Sequence, residues 1–248
     1  MKIILTGASG FIGGGVLDQC IQDPAITSIV VLSRRELPAS KTSNDKVKVI
    51  IQEDFLTYPD SLLQQLRGAK ACIWYPRRTY SLINIFDTAR PTDIRSRCIG
   101  SVYLYGKDET QQYIKTNVDY TLAAAKAYVT HLVPQLDGGE SFRFVFCSGM
   151  LSVTDQKKSV WIFDLSRKVK GQNENELFQI AEEEPKFDVY SVRPGGVTPV
   201  QRRIIDKIVS PIFPTIRLDE LGVAMVKICK SGSEKHVIEN SELIAMAQ

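Results

Sequence analysis

The feature that most constrains this chain is a set of three glycines close to its amino terminus. Residues 6–13 read Thr-Gly-Ala-Ser-Gly-Phe-Ile-Gly, directly after an apolar strand candidate and directly before a helix candidate at 14–21. This spacing allows a tight turn, close backbone approach to a pyrophosphate, and close packing of helix on strand. The helix amino terminus adds unpaired N–H groups and the positive end of its dipole. The pattern predicts a loop that holds a pyrophosphate cofactor, the alternative being a glycine-rich turn without a ligand. The predicted cofactor residues of this loop are Gly7, Ser9, Gly10, Phe11, Ile12 and Gly13.

The end of the second strand candidate indicates which dinucleotide the loop would hold. An acidic side chain there accepts hydrogen bonds from the ribose of NAD, whereas an arginine pairs with the 2′-phosphate of NADP. Here the strand ends in Ser33-Arg34-Arg35, and the acidic Glu36 is displaced by one position or more. We therefore predict that Ser33, Arg34 and Arg35 bind the cofactor and that NADP(H) is favoured over NAD(H). The alternative is that the two arginines are a solvated strand end.

Strand and helix candidates alternate along the chain, which is typical of a parallel sheet covered on both faces. Buried parallel strands read as continuous apolar runs. The clearest helix candidate spans 109–132, where Ile114, Val118, Leu122 and Val129 recur at spacings of a helical face. We predict a doubly wound, Rossmann-type α/β fold with three layers, in one domain over 1–248, with a small substrate-side portion at the carboxyl end. The six strand candidates are 2–6, 28–32, 47–51, 71–74, 142–147 and 187–192.

Composition excludes several other classes of protein. The formal net charge is +3 without a long run of like charges, so neither a nucleic-acid surface nor a polybasic membrane anchor is predicted. The longest apolar runs are too short for a membrane span or a secretory signal, which favours a cytoplasmic location. Five dispersed cysteines and two distant histidines give neither a disulfide framework nor a metal site.

One segment, 79–107, has no clean periodicity and mixes arginines with apolar residues. A connection of this length inside a compact domain is usually a functional flap or an irregular insertion. It follows Trp74-Tyr75-Pro76-Arg77-Arg78, at the carboxyl end of a central strand where ligands bind in open α/β sheets. The two arginines there are equally compatible with a clamp for an anionic substrate and with a solvated surface.

Five motifs in one order make the chain resemble a short-chain dehydrogenase/reductase of the extended or atypical branch, related to nucleotide-sugar epimerases. They are the glycine loop, Glu53-Asp54 after the third strand, 117–121 on the long helix, 146–149 after the fifth strand, and 193–197 after the sixth. The resemblance implies that Asp54 lies beside the adenine and that Pro194, Gly195 and Val197 contact the cofactor.

The same resemblance implies a site made of a serine, a tyrosine and a lysine four residues beyond the tyrosine. Ser148 matches the serine and Lys170 the lysine, which also holds the cofactor, but Ser166 stands where the tyrosine is expected. A phenol with a lysine nearby is the proton donor in that family, and a serine hydroxyl is a much weaker acid. The predicted catalytic residues are Ser148, Ser166, Lys170 and Tyr75, with Tyr103 and Tyr105 as further candidates to replace the missing tyrosine. The string Tyr103-x-x-x-Lys107 lies before the fifth strand, in the wrong order for the site.

Three functions are compatible with these residues. The first is an NADP-dependent enzyme that reduces or epimerises a small organic molecule, and we favour it because the resembled family is overwhelmingly catalytic. The second is a non-redox isomerase, cyclase or dehydratase that keeps the cofactor as a structural group. The third is a non-catalytic module that senses NADP(H). The oligomeric state is open, although members of the family often form homodimers through the helix equivalent to 109–132.

Overall fold

A computed structural model describes residues 1–75, 107–158, 164–200 and 214–248, with side chains described from residue 110 onward in the second range. The predicted flap, apart from the backbone of its last residue, lies outside the described residues. Several side chains singled out above also lie outside them, namely those of Arg77, Arg78, Tyr103, Tyr105 and Lys107.

In the described ranges, seven parallel strands form the central sheet: β1 (Lys2–Thr6), β2 (Ser28–Ser33), β3 (Val47–Ile51), β4 (Ala69–Trp74), β5 (Phe142–Cys147), β6 (Phe187–Arg193) and β9 (Val237–Glu239). They lie in the order β3-β2-β1-β4-β5-β6-β9. The chain builds the sheet outward from β1 on one side and then crosses over to β4 on the other, so the topological switch point lies between β1 and β4. All six strand candidates are present, and three of them have the predicted bounds. Two further short strands, β7 (Gly196–Thr198) and β8 (Thr215–Arg217), pair with each other in a separate parallel ribbon.

Helices cover both faces of the sheet, which confirms the predicted three-layer, doubly wound fold. The described helices are α1 (Phe11–Gln22), α2 (Ala39–Thr42), α3 (Asp60–Leu66), α4 (Lys107–Ile114), α5 (Tyr120–His131), α6 (Asp164–Glu183), α7 (Leu218–Ser231) and α8 (Asn240–Met246). Successive residues of a strand point to opposite faces, so Ile3 and Leu5 pack under α1 and α7 while Ile4 packs under α3, α5 and α6. The second face is rich in aromatic side chains, among them Tyr128 and Phe144.

The long helix predicted over 109–132 is interrupted. A single π-helical turn, Lys115–Asp119, separates α4 from α5, and such turns are frequent at functional sites. The predicted apolar stripe is not the most buried face either, because Leu122 and Val129 are only half-buried. The buried face of α5 is instead formed by Thr121, Ala124, Ala125 and Tyr128. Two small alanines on this face allow the helix to pack close to the sheet.

Candidate functional site

The glycine loop joins β1 to α1 at the switch point of the sheet. Gly7 has a φ of +74°, a left-handed conformation that glycine adopts readily. The amide of Gly10 donates a hydrogen bond of 2.9 Å to the Gly7 carbonyl and closes the turn. A Cβ on Gly13 would overlap that same carbonyl, so the helix can pack on the loop only if this residue is glycine.

Within the described residues, no side chain caps the amino terminus of α1. Its N-cap residue is Gly10, and its first turn contains no acidic residue. Phe11 in that turn is half exposed. The first N–H groups of a helix have no partner within the helix, so this end is available to a phosphate.

An open cleft of about 530 Å³ extends from the glycine loop to the end of β2. Ser33 is buried at its floor, and its hydroxyl donates a hydrogen bond of 2.7 Å to the Arg35 carbonyl. This bond shapes the turn that carries Arg34 and Arg35 at the rim of the cleft. The cleft is lined by Thr6, Gly7, Ser9, Leu32, Ser33, Arg34, Arg35, Phe55, Trp74, Tyr75, Thr116 and Tyr120.

Aromatic rings form the wall of this cleft opposite the loop. The ring of Phe55 lies 5.8 Å from that of Tyr120 and 5.9 Å from that of Trp74, measured between ring centroids. Asp54 is hydrogen-bonded to the Tyr120 hydroxyl; burial, and then the nearby Asp54 charge, raise the pKa of Tyr120. The Arg34 charge lowers the pKa of Tyr120, so the acid, the phenol and the guanidinium are within electrostatic range of one another.

Hydrogen bonds fix the π-helical turn to the end of β4. The Trp74 indole donates to the Thr121 hydroxyl at 2.8 Å, and that hydroxyl donates to the Asn117 carbonyl at 2.6 Å. The Asn117 amide donates to the Tyr113 carbonyl at 2.8 Å. The turn thereby presents Thr116 and Tyr120 to the cleft, and this places the motif at 117–121 beside the predicted cofactor loop.

Tyr75 lies at the glycine loop, at the end of β4. Its amide donates a hydrogen bond of 3.0 Å to the Thr6 hydroxyl, which links the ends of β4 and β1. Its side chain packs against Gly7. Of the residues predicted to be catalytic, Tyr75 therefore lies with the cofactor loop, while Ser148, Ser166 and Lys170 lie around β5 and α6.

Ser148 and Lys170 both lie at the end of β5. Ser148 is buried, and its hydroxyl shares a hydrogen bond of 2.6 Å with Ser152, whose hydroxyl donates to the Gly149 carbonyl at 2.7 Å. The Lys170 ammonium lies against Gly149. Burial lowers the pKa of Lys170, and the neighbouring Cys147 and Glu174 oppose that shift.

Two neighbours of this site are not candidates for a nucleophile or a free base. Burial raises the pKa of the Cys147 thiol to about 12, so it is protonated near neutral pH. Glu174, one helical turn after Lys170, is fully buried and accepts hydrogen bonds from Ser191 at 2.8 Å and from Arg193 Nε at 3.0 Å. Arg193 also donates to Glu239 at 3.1 Å, which ties α6 to β6 and β9.

Ser166 does not stand alone in place of the expected tyrosine. The hydroxyl of Tyr113, on α4, is hydrogen-bonded to the Ser166 side chain, and burial raises the pKa of this phenol. Tyr113 packs in a small apolar cluster with Val118 and Val169. Sequence reasoning missed Tyr113, because nothing in the local pattern indicates that α4 and α6 pack together.

The segment that follows β6 also lies beside this site. The Met150 amide donates to the Pro194 carbonyl at 3.0 Å, so this segment runs beside the loop that follows Ser148. The Gly195 amide donates to Asn240 at 2.7 Å, and Val197 is buried in β7. Pro194, Gly195 and Val197 therefore lie on the Ser148 and Lys170 side, away from Arg34.

The described ranges contain neither a metal-binding cluster nor a membrane-spanning helix. In 1–75, 107–158, 164–200 and 214–248, no cluster of three or more histidine, cysteine or acidic residues could hold a metal ion. No helix in those same ranges combines the length and the apolar character needed to cross a membrane.

Comparison with known proteins identifies relatives of the sequence and of the fold. No family model matches the chain. The chain is 32% identical over 180 residues to leucinostatins biosynthesis cluster protein T of Purpureocillium lilacinum; the match covers 73% of this chain and 52% of that protein, so it spans about half the length of this relative.

Solved structures confirm the fold that the resemblance implied. Acetoin dehydrogenase from Enterobacter cloacae superposes with a TM-score of 0.69 at 12% identity, covering 98% of this chain and 96% of that one. UDP-glucuronic acid 4-epimerase from Bacillus cereus, solved with NAD and a UDP-sugar analogue, superposes with a TM-score of 0.60 at 18% identity, covering 96% of this chain and 77% of that one. The chain thus has the Rossmann-type fold seen in reductases and epimerases of the short-chain dehydrogenase/reductase type.

Proposed function

We propose that the chain is an NADP(H)-dependent enzyme of the short-chain dehydrogenase/reductase type that reduces or epimerises a small organic molecule. The observation that carries this proposal is the shared cleft at the switch point, which brings the Gly7 turn, the uncapped end of α1 and Arg34 together. The backbone of this loop suits a pyrophosphate, because glycine at position 13 lets α1 pack directly on the turn.

The adenosine end of the ligand would lie between β2 and the aromatic wall. Arg34 has a donor fork suited to a 2′-phosphate, and none of the described residues that line the cleft is an acid that could accept the ribose hydroxyls of NAD. Phe55 and Tyr120 offer ring surfaces to the adenine, with Tyr120 held by Asp54. Arg35, exposed beside Arg34, adds positive charge at the rim.

The nicotinamide end of the cofactor would lie at Ser148 and Lys170. A bound nicotinamide supplies or accepts a hydride there. By turning from Ser152, the Ser148 hydroxyl can donate a hydrogen bond to a substrate oxygen, and the Lys170 ammonium can hold ribose hydroxyls. Proton transfer falls to Ser166 and the Tyr113 phenol behind it, or to a group outside the described residues. General acid–base catalysis contributes roughly 10²–10⁴-fold, so a site that relies on serine alone would be slow.

The relative in Purpureocillium lilacinum supports a small organic substrate, since its name assigns it to a cluster for leucinostatin biosynthesis. Calorimetric titration with NADPH, NADP⁺, NADH and NAD⁺ tests the cofactor. We expect NADP(H) to bind at least about tenfold more tightly than NAD(H), a difference of about 1.4 kcal/mol. If none of the four binds, the proposal is wrong.

A non-redox isomerase, cyclase or dehydratase is the second candidate, and the serine at position 166 favours it. In that case the cofactor stays bound unchanged, and side chains such as Ser148, Ser166 and Lys170 move protons. Comparing NADPH absorbance with product mass separates the two, because hydride reduction consumes one NADPH per product and isomerisation consumes none. A homodimer and a cytoplasmic location stay predictions. Light scattering on the protein as it elutes from a size-exclusion column measures its mass in solution and so tests the homodimer.

A further inference from the structure

Tyr75 covers the first turn of the glycine loop. A Cβ placed on Gly7 would be 3.1 Å from the Cβ, the Cδ1 and the carbonyl oxygen of Tyr75, so the base of this side chain rests directly on the turn. Both residues line the cleft that also contains Arg34.

The backbone at this position is held, so only the side chain can move away. The Thr6 hydroxyl accepts from the Tyr75 amide at 3.0 Å and donates to its carbonyl at 3.5 Å, and Thr6 itself is buried. The ring packs against the apolar core on the α1 side of the sheet. The strand can therefore stay in place when the ring moves off Gly7.

A pyrophosphate bound by a glycine loop approaches the backbone of the turn closely. A ring that lies on Gly7 occupies part of that approach. A ligand confined to the Arg34, Phe55 and Tyr120 end of the cleft meets no such obstacle. When only a fraction of the protein is competent to bind, the apparent affinity falls by that fraction.

We propose that Tyr75 is a specificity-determining residue, whose ring must leave Gly7 before a full dinucleotide can bind but not before an adenosine nucleotide can. This proposal rests on the proposed cofactor function and adds to it a reason for the bulky residue at the end of β4. The site would then favour the adenosine half of the ligand more strongly than the same loop with a small residue at position 75.

Two ligands and three variants test this proposal. Adenosine 2′,5′-bisphosphate probes the adenosine end alone, and NADPH probes the whole site. In Tyr75→Ala we expect NADPH to bind about tenfold more tightly, while the bisphosphate stays within about twofold of the unmodified protein. Tyr75→Phe, which keeps the ring, should match the unmodified protein for both ligands. Tyr75→Leu keeps apolar packing without a ring and replaces Tyr75→Ala if thermal unfolding shows that the alanine variant does not fold.

The outcomes separate this proposal from the cofactor proposal. If the bisphosphate binds but NADPH binding is unchanged or weaker without the ring, the role of Tyr75 is wrong and the cofactor site stands. An equal gain for both ligands also contradicts the proposal, because the effect would not arise at the pyrophosphate. If neither ligand binds any of the proteins, the cofactor function itself fails.

Discussion

The Lys170 ammonium lies directly against Gly149, with its Nζ 2.5 Å from the position that a Cβ on Gly149 would take. Gly149 follows Ser148 at the end of β5, and Lys170 comes from the middle of α6. The absence of a side chain at position 149 therefore makes room for the lysine beside the buried serine.

Substituting Gly149 tests whether this contact matters for binding. In Gly149→Ala the new methyl group meets only the end of a flexible side chain, so the fold should survive and the ammonium should be displaced. We expect thermal unfolding close to that of the unmodified protein and dinucleotide affinity reduced by about tenfold, or about 1.4 kcal/mol. Gly138→Ala is the matched control, because a Cβ there meets nothing within 4 Å. Unchanged affinity in Gly149→Ala would mean that the position of the lysine is irrelevant to binding.

The buried ammonium of Lys170 should make the free energy of unfolding depend on pH. Burial lowers its pKa in the folded state, so the folded protein releases this proton at a lower pH than the unfolded chain does. The cost of burying the charge is fully present below the folded-state pKa and disappears above the ordinary value near ~10.4. Lys170→Met should therefore raise the free energy of unfolding at pH 7, by an amount that shrinks as the pH approaches that value. Denaturant unfolding at several pH values measures this, with Lys126→Met, at an exposed position of α5, as control. A stability gain that does not change with pH would contradict the assignment.

Gly10 and Gly13 of the glycine loop differ in the space that each leaves for a side chain. A Cβ on Gly13 would overlap the Gly7 carbonyl, whereas a Cβ on Gly10 would be 3.4 Å from the same atom, an ordinary contact. Overpacking of this kind costs about 1–3 kcal/mol, so Gly13→Ala should lose both stability and nucleotide binding. Gly10→Ala should keep its stability but bind a dinucleotide more weakly, since the methyl group faces the pyrophosphate. Chemical denaturation and calorimetry on both variants check this; equal stability of the two would contradict the packing described here.

The pair of Glu174 and Arg193 should dominate the stability of the region around α6. Glu174 is fully buried and Arg193 is the charge that neutralises it, whereas the third partner, Glu239, has a half-exposed side chain. Removing one partner of a buried ion pair costs about 3–5 kcal/mol, because it leaves the other charge without compensation. Arg193→Met should show a loss of that size in denaturant unfolding. Glu239→Gln should cost about 1 kcal/mol or less, and similar losses for the two variants would show that the buried carboxylate is not the cause.

Local patterns in the sequence predicted six of the seven strands of the central sheet as the structure describes it. An apolar run such as Phe142–Cys147 is typical of a buried parallel strand, and its observed bounds match the predicted ones. The strands that were not predicted have three residues each, too few for any periodicity to appear. The π-helical turn was missed because Ile114, Val118 and Leu122 keep a regular spacing of four residues across it.

The site was only partly predictable for a different reason. The cofactor loop and Arg34 are close in sequence to the strands that position them, so their location follows from the motif. The contact of Tyr113 with Ser166 depends on how α4 and α6 pack, and the contact of Tyr75 with Gly7 depends on which strands are neighbours. Neither contact can be inferred from the spacing of residues along the sequence.

Arg34 is proposed to bind the 2′-phosphate of a dinucleotide, and one pair of titrations tests this assignment. NADPH and NADH differ at that group alone, so each is titrated into the unmodified protein and into Arg34→Ala by calorimetry. We predict that the variant loses at least about tenfold in affinity for NADPH, or about 1.4 kcal/mol, and that its affinity for NADH is unchanged. Equal losses for both dinucleotides, or no loss for either, would contradict the claim.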